Sequence, residues 1–510
     1  MKSISKNMFV SILARIVTLI TGLIVQQRIL VAYGSSLNGL TSSISQVMSY
    51  LVILEAGLGT ASVQALYSPI ACKDWDKVSG IVTATGREYR KISILFFSLL
   101  VTASFLLPLA VKGQIEFSVA CLLTLITGGS YVVSYIFGGK YKALLTADRK
   151  LYILYIWEMI SIIVSCVLRI WALAVGQGIV VVQSINLGCV LIKNFGYVFY
   201  VKKNYKDINY MRVPDIKAIS KRWNVLVHSL AGIVVNHTDI MILTIFADLK
   251  IVSVYGVYNL VFSQLSALIQ STFMSAPQAN FGQLYHKDKH KFEIAYGIYE
   301  TGLTILLFVI STIALIMILP FVSIYTKGVT DVVYIDSYLP ILFALILLMN
   351  QIRIPAIITI NIAGTYKETQ NGAIIEAAIN LLVSLGLYFF TNLGLYGLLI
   401  GTVCSYIYRT TDVIMFSYKH LLNRKSTKYI KTILVNASLL VILYVVFNVL
   451  WPITVETFGM WILKACIISV FCISIFIFGN LIFNRLEAKN VLNFVLRRVK
   501  KNDTGDNYEI

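Results

Sequence analysis

The sequence predicts an all-α polytopic membrane protein of 14 transmembrane helices. These form two pseudo-symmetric six-helix lobes around a central lumen, with two extra C-terminal helices. Three observations lead there. Of 510 residues, 58% are hydrophobic and only 13% charged, about half the charge of a soluble domain. The apolar residues fall in repeated runs long enough to cross about 30 Å of hydrocarbon as helix. The Lys and Arg residues alternate in density between successive loops, as the positive-inside rule requires.

Taken in order, the apolar runs of the first lobe (1–201) are about 8–33, 37–67, 92–111, 117–145, 151–175 and 179–201. A basic linker at 202–222 follows. The second lobe (223–420) holds 223–247, 251–279, 295–325, 334–363, 369–390 and 393–418. Helices 13 and 14 lie within 421–484, and a basic tail occupies 485–510. With the N-terminus inside, 33 of the 43 Lys and Arg fall on the cytoplasmic side and three outside (Lys112, Lys250, Lys327). One missed helix would invert every later loop, so both termini are expected in the cytoplasm. The net charge of +19 is then topological and does not point to nucleic acid. Many of the eight prolines and 31 glycines fall within apolar runs, where membrane helices tolerate them. The seven cysteines show no metal-ligand spacing and read as small hydrophobes. No cleavable signal peptide is expected, because the first apolar run is full length.

Sliding the chain against itself by 218 residues aligns six spans with six spans. It places Ser11 on Ser229, Gln46 on Gln264, Glu158 on Glu376 and Gly176 on Gly394. Six is even, so the repeats are parallel and related by an axis along the membrane normal.

Charges inside the spans carry the functional reading, because an ionisable group at membrane depth is costly and should face protein or water. Arg15, Arg353 and Lys193 lie about 13, 21 and 13 Å from the nearest cytoplasmic cations by helical rise. Arg28 lies nearer a helix end and has the reach to snorkel. Arg15 and Arg28 are about 140° apart on an ideal helix, so a shared face requires a bend near Gly22. These four cations are the candidates for holding an anionic substrate. Glu55 lies at a depth that allows a neutralising pair with Arg15. Glu158 and Glu376 are assigned structural or gating roles, with hydrogen bonds to neighbouring helices. Asp239 is the ion-coupling candidate, with Asn236 one turn away as its alternative hydrogen-bond partner. Arg169 and Lys464 read as interface anchors, and Arg409 fits either environment. The 30 tyrosines belong first to interfacial belts. Residues 485–501 read as an amphipathic helix on anionic lipid. No catalytic residue, metal site or cofactor is expected beyond a coupling ion, H+ or Na+.

The stretch 28–71, RILVAYGSSLNGLTSSISQVMSYLVILEAGLGTASVQALYSPIA, carries R-x5-G, NGL, E-x-GxG-x-A and LY-x-P-x-A. With YKALLTADRKLY at 141–152, H-x7-N-x-TD at 228–239 and GTYKETQNGAIIEAAINLLVSLG at 364–386, it resembles the bacterial oligosaccharide repeat-unit flippases. These belong to the multidrug/oligosaccharidyl-lipid/polysaccharide exporter superfamily, and the resemblance covers about the first 420 residues. It implies a V-shaped lumen, alternating access, and an undecaprenyl-pyrophosphate-linked oligosaccharide carried between leaflets for capsule or other cell-surface polysaccharide. It also implies a monomer in a bacterial plasma membrane, in contact with membrane lipids and with a polysaccharide polymerase and assembly proteins. Two alternatives stand beside it. A cation-coupled multidrug exporter of the same superfamily would favour an anionic lumen. A membrane glycosyltransferase or polymerase would need acidic groups in sizeable outer loops, which are short here.

Overall fold

The computed structural model describes residues 2–210, 212–216, 218, 237–365 and 367–504, and no β-strand occurs among them. Eleven of their helical stretches are long and apolar enough to cross a membrane. Many large apolar side chains on these helices face outward, such as Phe97, Leu106 and Leu109, or Leu463, Ile467 and Val470. Outward apolar faces on long helices are what a hydrocarbon solvent demands. One of the eleven stretches, Phe9–Ala71, is interrupted. Most of the expected span 223–247 lies outside the described residues, so the count of fourteen remains an expectation.

The chain divides into two compact units, 1–256 with 328–332, and 257–327 with 333–510. In the first unit, α1 (Lys2–Leu51) changes direction at Gly34, whose φ of +79° is a conformation a side chain would strain. No break occurs at Gly22, so the bend that would bring Arg15 and Arg28 to one face is absent. Beyond Gly34 the helix restarts under a cap. The Ser35 amide and hydroxyl donate to Asp331 at 2.9 and 2.6 Å.

A tight 3-10 turn, Val52–Glu55, leads into α2 (Ala56–Ala71), and α3 (Trp75–Ala110) follows. Asp74 caps α3 by accepting from the Lys77 amide at 3.0 Å. This helix begins 17 residues before its expected apolar span, because Val78, Ile81, Val82 and Tyr89 bury an amphipathic face ahead of the lipid-facing part. Next come α4 (Phe117–Val133), a π-helical turn at Ser134–Gly138, α5 (Gly139–Ala147), α6 (Leu151–Ala174) and α7 (Ile179–Asn204).

The described part of the basic linker lies on the start of α3 rather than spanning freely. Asn209 donates its amide to Ser79 Oγ at 2.9 Å, Asp215 to the Gly80 carbonyl at 3.1 Å, and Arg212 pairs with Asp76 at 2.9 Å. The helix α8 is described over His237–Phe246, followed by α9 (Leu249–Phe273). The units part at Gly256 inside α9, not in the linker. The physical reason is polar pairing with α1, where Asn38 donates to Ser253 at 2.6 Å and Ser43 bonds Thr244 at 2.6 Å.

The second unit is built on α11 (Lys289–Tyr325), most of which is buried. Short α10 (Ser275–Lys287) precedes it, and Asp288 caps it by accepting from the Lys291 amide at 3.0 Å. Then follow α12 (Leu339–Ile352), α13 (Ile354–Ala363), α14 (Gln370–Phe390), α15 (Leu395–Phe416), α16 (Thr427–Val445), α17 (Phe458–Phe483) and α18 (Arg485–Thr504). The helices α16 and α17 are joined at buried amides. Asn436 and Asn480 donate to each other's carbonyl oxygens at 3.2 and 2.8 Å, the polar pairing that holds apolar helices together in lipid. The tail helix α18 packs on α11 and α17, burying Ala488. Leu486 and Phe494 remain outward, so part of the face expected on lipid serves protein packing instead.

Candidate functional site

Two clusters of membrane-depth charge stand out, one in each unit. In the second, Pro355 lacks the amide that would bond Gln351 and its ring crowds that carbonyl, so the helix breaks between α12 and α13. Arg353 sits at that break. Its guanidinium reaches Glu376 Oε1 and Asn350 Oδ1, both at 2.8 Å, and stacks 5.0 Å over the Tyr406 ring. Arg409 approaches the other oxygen of Glu376 at 3.6 Å and pairs with Asp412 at 2.7 Å. Both arginine side chains are 13% exposed and Glu376 is 9% exposed. Gly372 makes room for the network, since a Cβ there would stand 2.1 Å from Asp412 and 2.3 Å from Arg409. Two guanidiniums and two carboxylates cancel in formal charge. Arg353 is therefore a paired cation, which corrects the expectation that it stands free to hold an anion. Glu376 thereby lies between two arginines, one at the break between α12 and α13 and one on α15.

In the first unit, Glu55, Glu158 and Lys193 line one polar cavity of about 180 Å³. Two of the fold's irregular turns line it. The 3-10 turn ends at Glu55, and the π-helical turn Ser134–Gly138 forms another wall, the kind of local unwinding that often marks functional positions. Glu55 accepts from the Tyr89 hydroxyl at 2.7 Å and forms no ion pair with Arg15 among the described residues, so the expected neutralising pair is replaced by a tyrosine. The walls also include Tyr135, Lys142, Tyr155 and Tyr197. Tyr135 is 6% exposed, and its hydroxyl has no hydrogen-bond partner among the described residues. Neither Glu158 nor Lys193 belongs to an ion pair within 4 Å among the described residues.

The remaining candidates lie apart from both clusters. Arg15 and Arg28 are exposed on α1 and form no ion pair among the described residues. Asp239 is buried in α8, next to Thr238, whose hydroxyl lies 3.4 Å from that of Tyr50. Asn236 lies outside the described residues. Arg169 is half-buried and donates to Gln183 at 3.1 Å, a helix–helix contact rather than an interface anchor. Lys464 reaches back to the Thr454 carbonyl at 2.5 Å, as an anchoring residue near a helix end would.

Reading the sequence missed the cavity's tyrosines and Lys142, and a second buried acid, Glu300. Glu300 accepts from Tyr418 at 2.6 Å and lies 3.7 Å from Arg424. One signal was available for part of this. The 218-residue offset sets Tyr135 against Arg353 and Asn194 against Asp412, flagging these positions as partners of the Glu158–Glu376 pair. Among the described residues no cluster of His, Cys, Asp and Glu suits a metal ion.

A scan of protein-family models and a search of curated proteins both find no match to this chain. Solved structures do match. The chain is similar to the inward-facing conformation of a multidrug resistance MATE family transporter of the MOP superfamily, with a TM-score of 0.63 and 15% identity over 79% of this chain and 94% of that one. It is also similar to a MATE transporter in the bent conformation (TM-score 0.53, 14% identity, 83% and 97% covered). A mutant of the Vibrio cholerae MATE transporter VcmN gives a TM-score of 0.53 at 13% identity, with 83% and 97% covered. The chain is a multi-pass helical membrane protein with the fold of the MATE family transporters of the MOP superfamily.

Proposed function

We propose that the protein is a flippase that moves undecaprenyl-pyrophosphate-linked oligosaccharide repeat units between the leaflets of a bacterial plasma membrane by alternating access. The observation that carries this reading is the state of Arg15, exposed on α1. It lies at membrane depth by helical rise, and no carboxylate stands within 4 Å of it among the described residues. A cation near the bilayer centre costs about 2.5–3.5 kcal/mol even on insertion scales. A passing pyrophosphate would offset that cost and would meet a cationic path, which the paired Arg353 no longer supplies. The motifs at 28–71 and 364–386 support the same substrate class.

Net movement needs a driving force, and no GxxxxGK[ST] phosphate-binding loop occurs in the sequence. Asp239, a buried carboxylate, is the residue we assign to sensing H+ or Na+. A second reading, cation-coupled multidrug export, draws on the likeness to a transporter described as conferring multidrug resistance. Vesicles reconstituted with the purified protein separate the two. Labelled polyprenyl-pyrophosphate oligosaccharide is expected to change leaflets, with the rate reduced in Arg15→Ala and Lys193→Ala at equal protein content. Asp239→Asn is expected to remove any dependence on pH or sodium. Export of organic cations without movement of the lipid would overturn the flippase reading in favour of the second.

A further inference from the structure

We infer that the cavity of the first unit is a subsite for a single pyranose ring of the transported glycan, an assignment that rests on the flippase reading above. Size is the first argument. About 180 Å³ is many times the roughly 10–15 Å³ that one water needs on the same measure. That is more room than a bare ion fills, and it admits a polar group the size of a ring.

Charge is the second argument. Glu55 and Glu158 face Lys142 and Lys193 across the same space, so their formal charges cancel. A bare cation would meet two ammonium groups, and a pyrophosphate would meet two carboxylates. A neutral, hydroxyl-rich ligand meets neither penalty. Each sugar hydroxyl donates once and accepts, so it needs walls that offer both functions. Carboxylates only accept, ammonium groups only donate, and a phenol does either.

The third argument is the surface between those groups. Tyr89, Tyr135, Tyr155 and Tyr197 line the cavity, and a pyranose presents C–H groups that suit an aromatic face. Three of these phenols have hydrogen-bond chemistry that differs in an informative way. Tyr89 donates to Glu55 at 2.7 Å, and Tyr197 donates to the Leu154 carbonyl at 3.3 Å. Tyr135, 94% buried, has no partner among the described residues. A buried hydroxyl is ordinarily satisfied, and this one lines a cavity whose size and neutrality suit a sugar. Ser134, Tyr135 and Gly138 of the π-helical turn all line the space.

The test uses full-length protein in lipid nanodiscs, which avoids detergents with sugar headgroups. Saturation-transfer NMR is recorded with methyl glucopyranoside, its 2-acetamido analogue and methyl glucuronide, and with acyclic mannitol as control. At least one pyranoside is expected to receive saturation at millimolar concentration and mannitol none. Binding is expected to weaken about three- to tenfold in Tyr135→Phe, and more than tenfold in Glu158→Gln. Both variants keep the shape of the side chain, and thermal melts confirm that they fold. Absence of transfer to every pyranoside, or transfer unaltered by both substitutions, would overturn the subsite. So would a sodium-dependent thermal shift lost in Glu158→Gln with no pyranoside bound, because it would assign the cavity to a cation. Pyranoside binding as expected in a protein that moves no lipid-linked oligosaccharide keeps the subsite and overturns the transport reading instead.

Discussion

Around Glu376 two guanidiniums close on its two carboxylate oxygens, at 2.8 and 3.6 Å. Around Glu158, at the position 218 residues earlier, there is a cavity lined by lysines and tyrosines instead. The position matching Arg353 is Tyr135, and the position matching Asp412 is Asn194. Exchanging an arginine for a tyrosine removes the planar fork that spans Glu376 and Asn350. Exchanging an aspartate for an asparagine removes the counter-charge that a second arginine would need. The same framework position thus supports a closed ion network in one unit and an open polar space in the other. The closed network pairs its charges within the protein, and the open one leaves Glu158 without an ion pair within 4 Å among the described residues.

The largest test of this contrast is the loss of each glutamate. Glu376→Ala strands two buried arginines, and breaking a buried pair typically costs about 3–5 kcal/mol. Glu158→Ala should cost no more than about 1 kcal/mol, the range of loosely held surface pairs. Thermal melts of the two purified variants read the difference, and equal shifts would erase the distinction.

A double substitution sharpens it. Arg353→Met with Glu376→Leu should recover most of the stability lost by Glu376→Leu alone, since apolar replacement of a buried pair is often near neutral. Two independent losses that simply add would show that the pair is not coupled.

Gly372→Ala comes next. Its Cβ would fall between Asp412 and Arg409, and such overpacking costs about 1–3 kcal/mol. The 2-residue contact would have to open, which a melt of the variant measures. In the first unit, Lys193→Gln should leave melting unchanged while slowing lipid movement about tenfold, equivalent to about 1.4 kcal/mol. A fall in melting temperature comparable to that of Gly372→Ala would return Lys193 to a structural role.

The smallest effect concerns a feature the two units share. Asp74 and Asp288 cap α3 and α11, each accepting from the amide three residues on. Those amide hydrogen bonds, from Lys77 and Lys291, hold both carboxyls below their usual value. A lowered folded value means the contribution is complete above the ordinary aspartate pKa of about 4. It is lost as pH falls through the lowered value. Each Asp→Ala variant should therefore melt slightly below wild type at neutral pH, and the gap should close in acid. A gap that persists in strong acid would show that packing, not the ionised cap, is responsible.

Much of the framework was legible beforehand because lipid leaves helices few choices. Apolar runs marked by basic loops predict span boundaries to within a few residues at α6, α7 and α14. The start of α3 was not legible, since its first turns are amphipathic and resemble a loop to any search for apolar runs. Helical rise placed Arg353 deep in the membrane but said nothing of its partner. Glu376 lies 23 residues away, and only the packing of α14 beside the break at Pro355 brings them together. For the same reason Glu55 was assigned to Arg15, when Tyr89 of α3 reaches it first.

What the sequence by itself determined is the class of solvent around the chain, the helical character of its segments and the depth of its charges. Each follows from composition and from a rise of about 1.5 Å per residue, and none of the three depends on which helix meets which. The tertiary structure alone decided the pairing of those charges, the size of the cavity and the direction of α1 beyond Gly34. Pairing energies act over a few ångströms, and neighbours at that distance come from helices far apart in the chain. Two glutamates in equivalent places of a repeat therefore look alike in sequence, and only their neighbours make one a brace and the other the wall of a pocket.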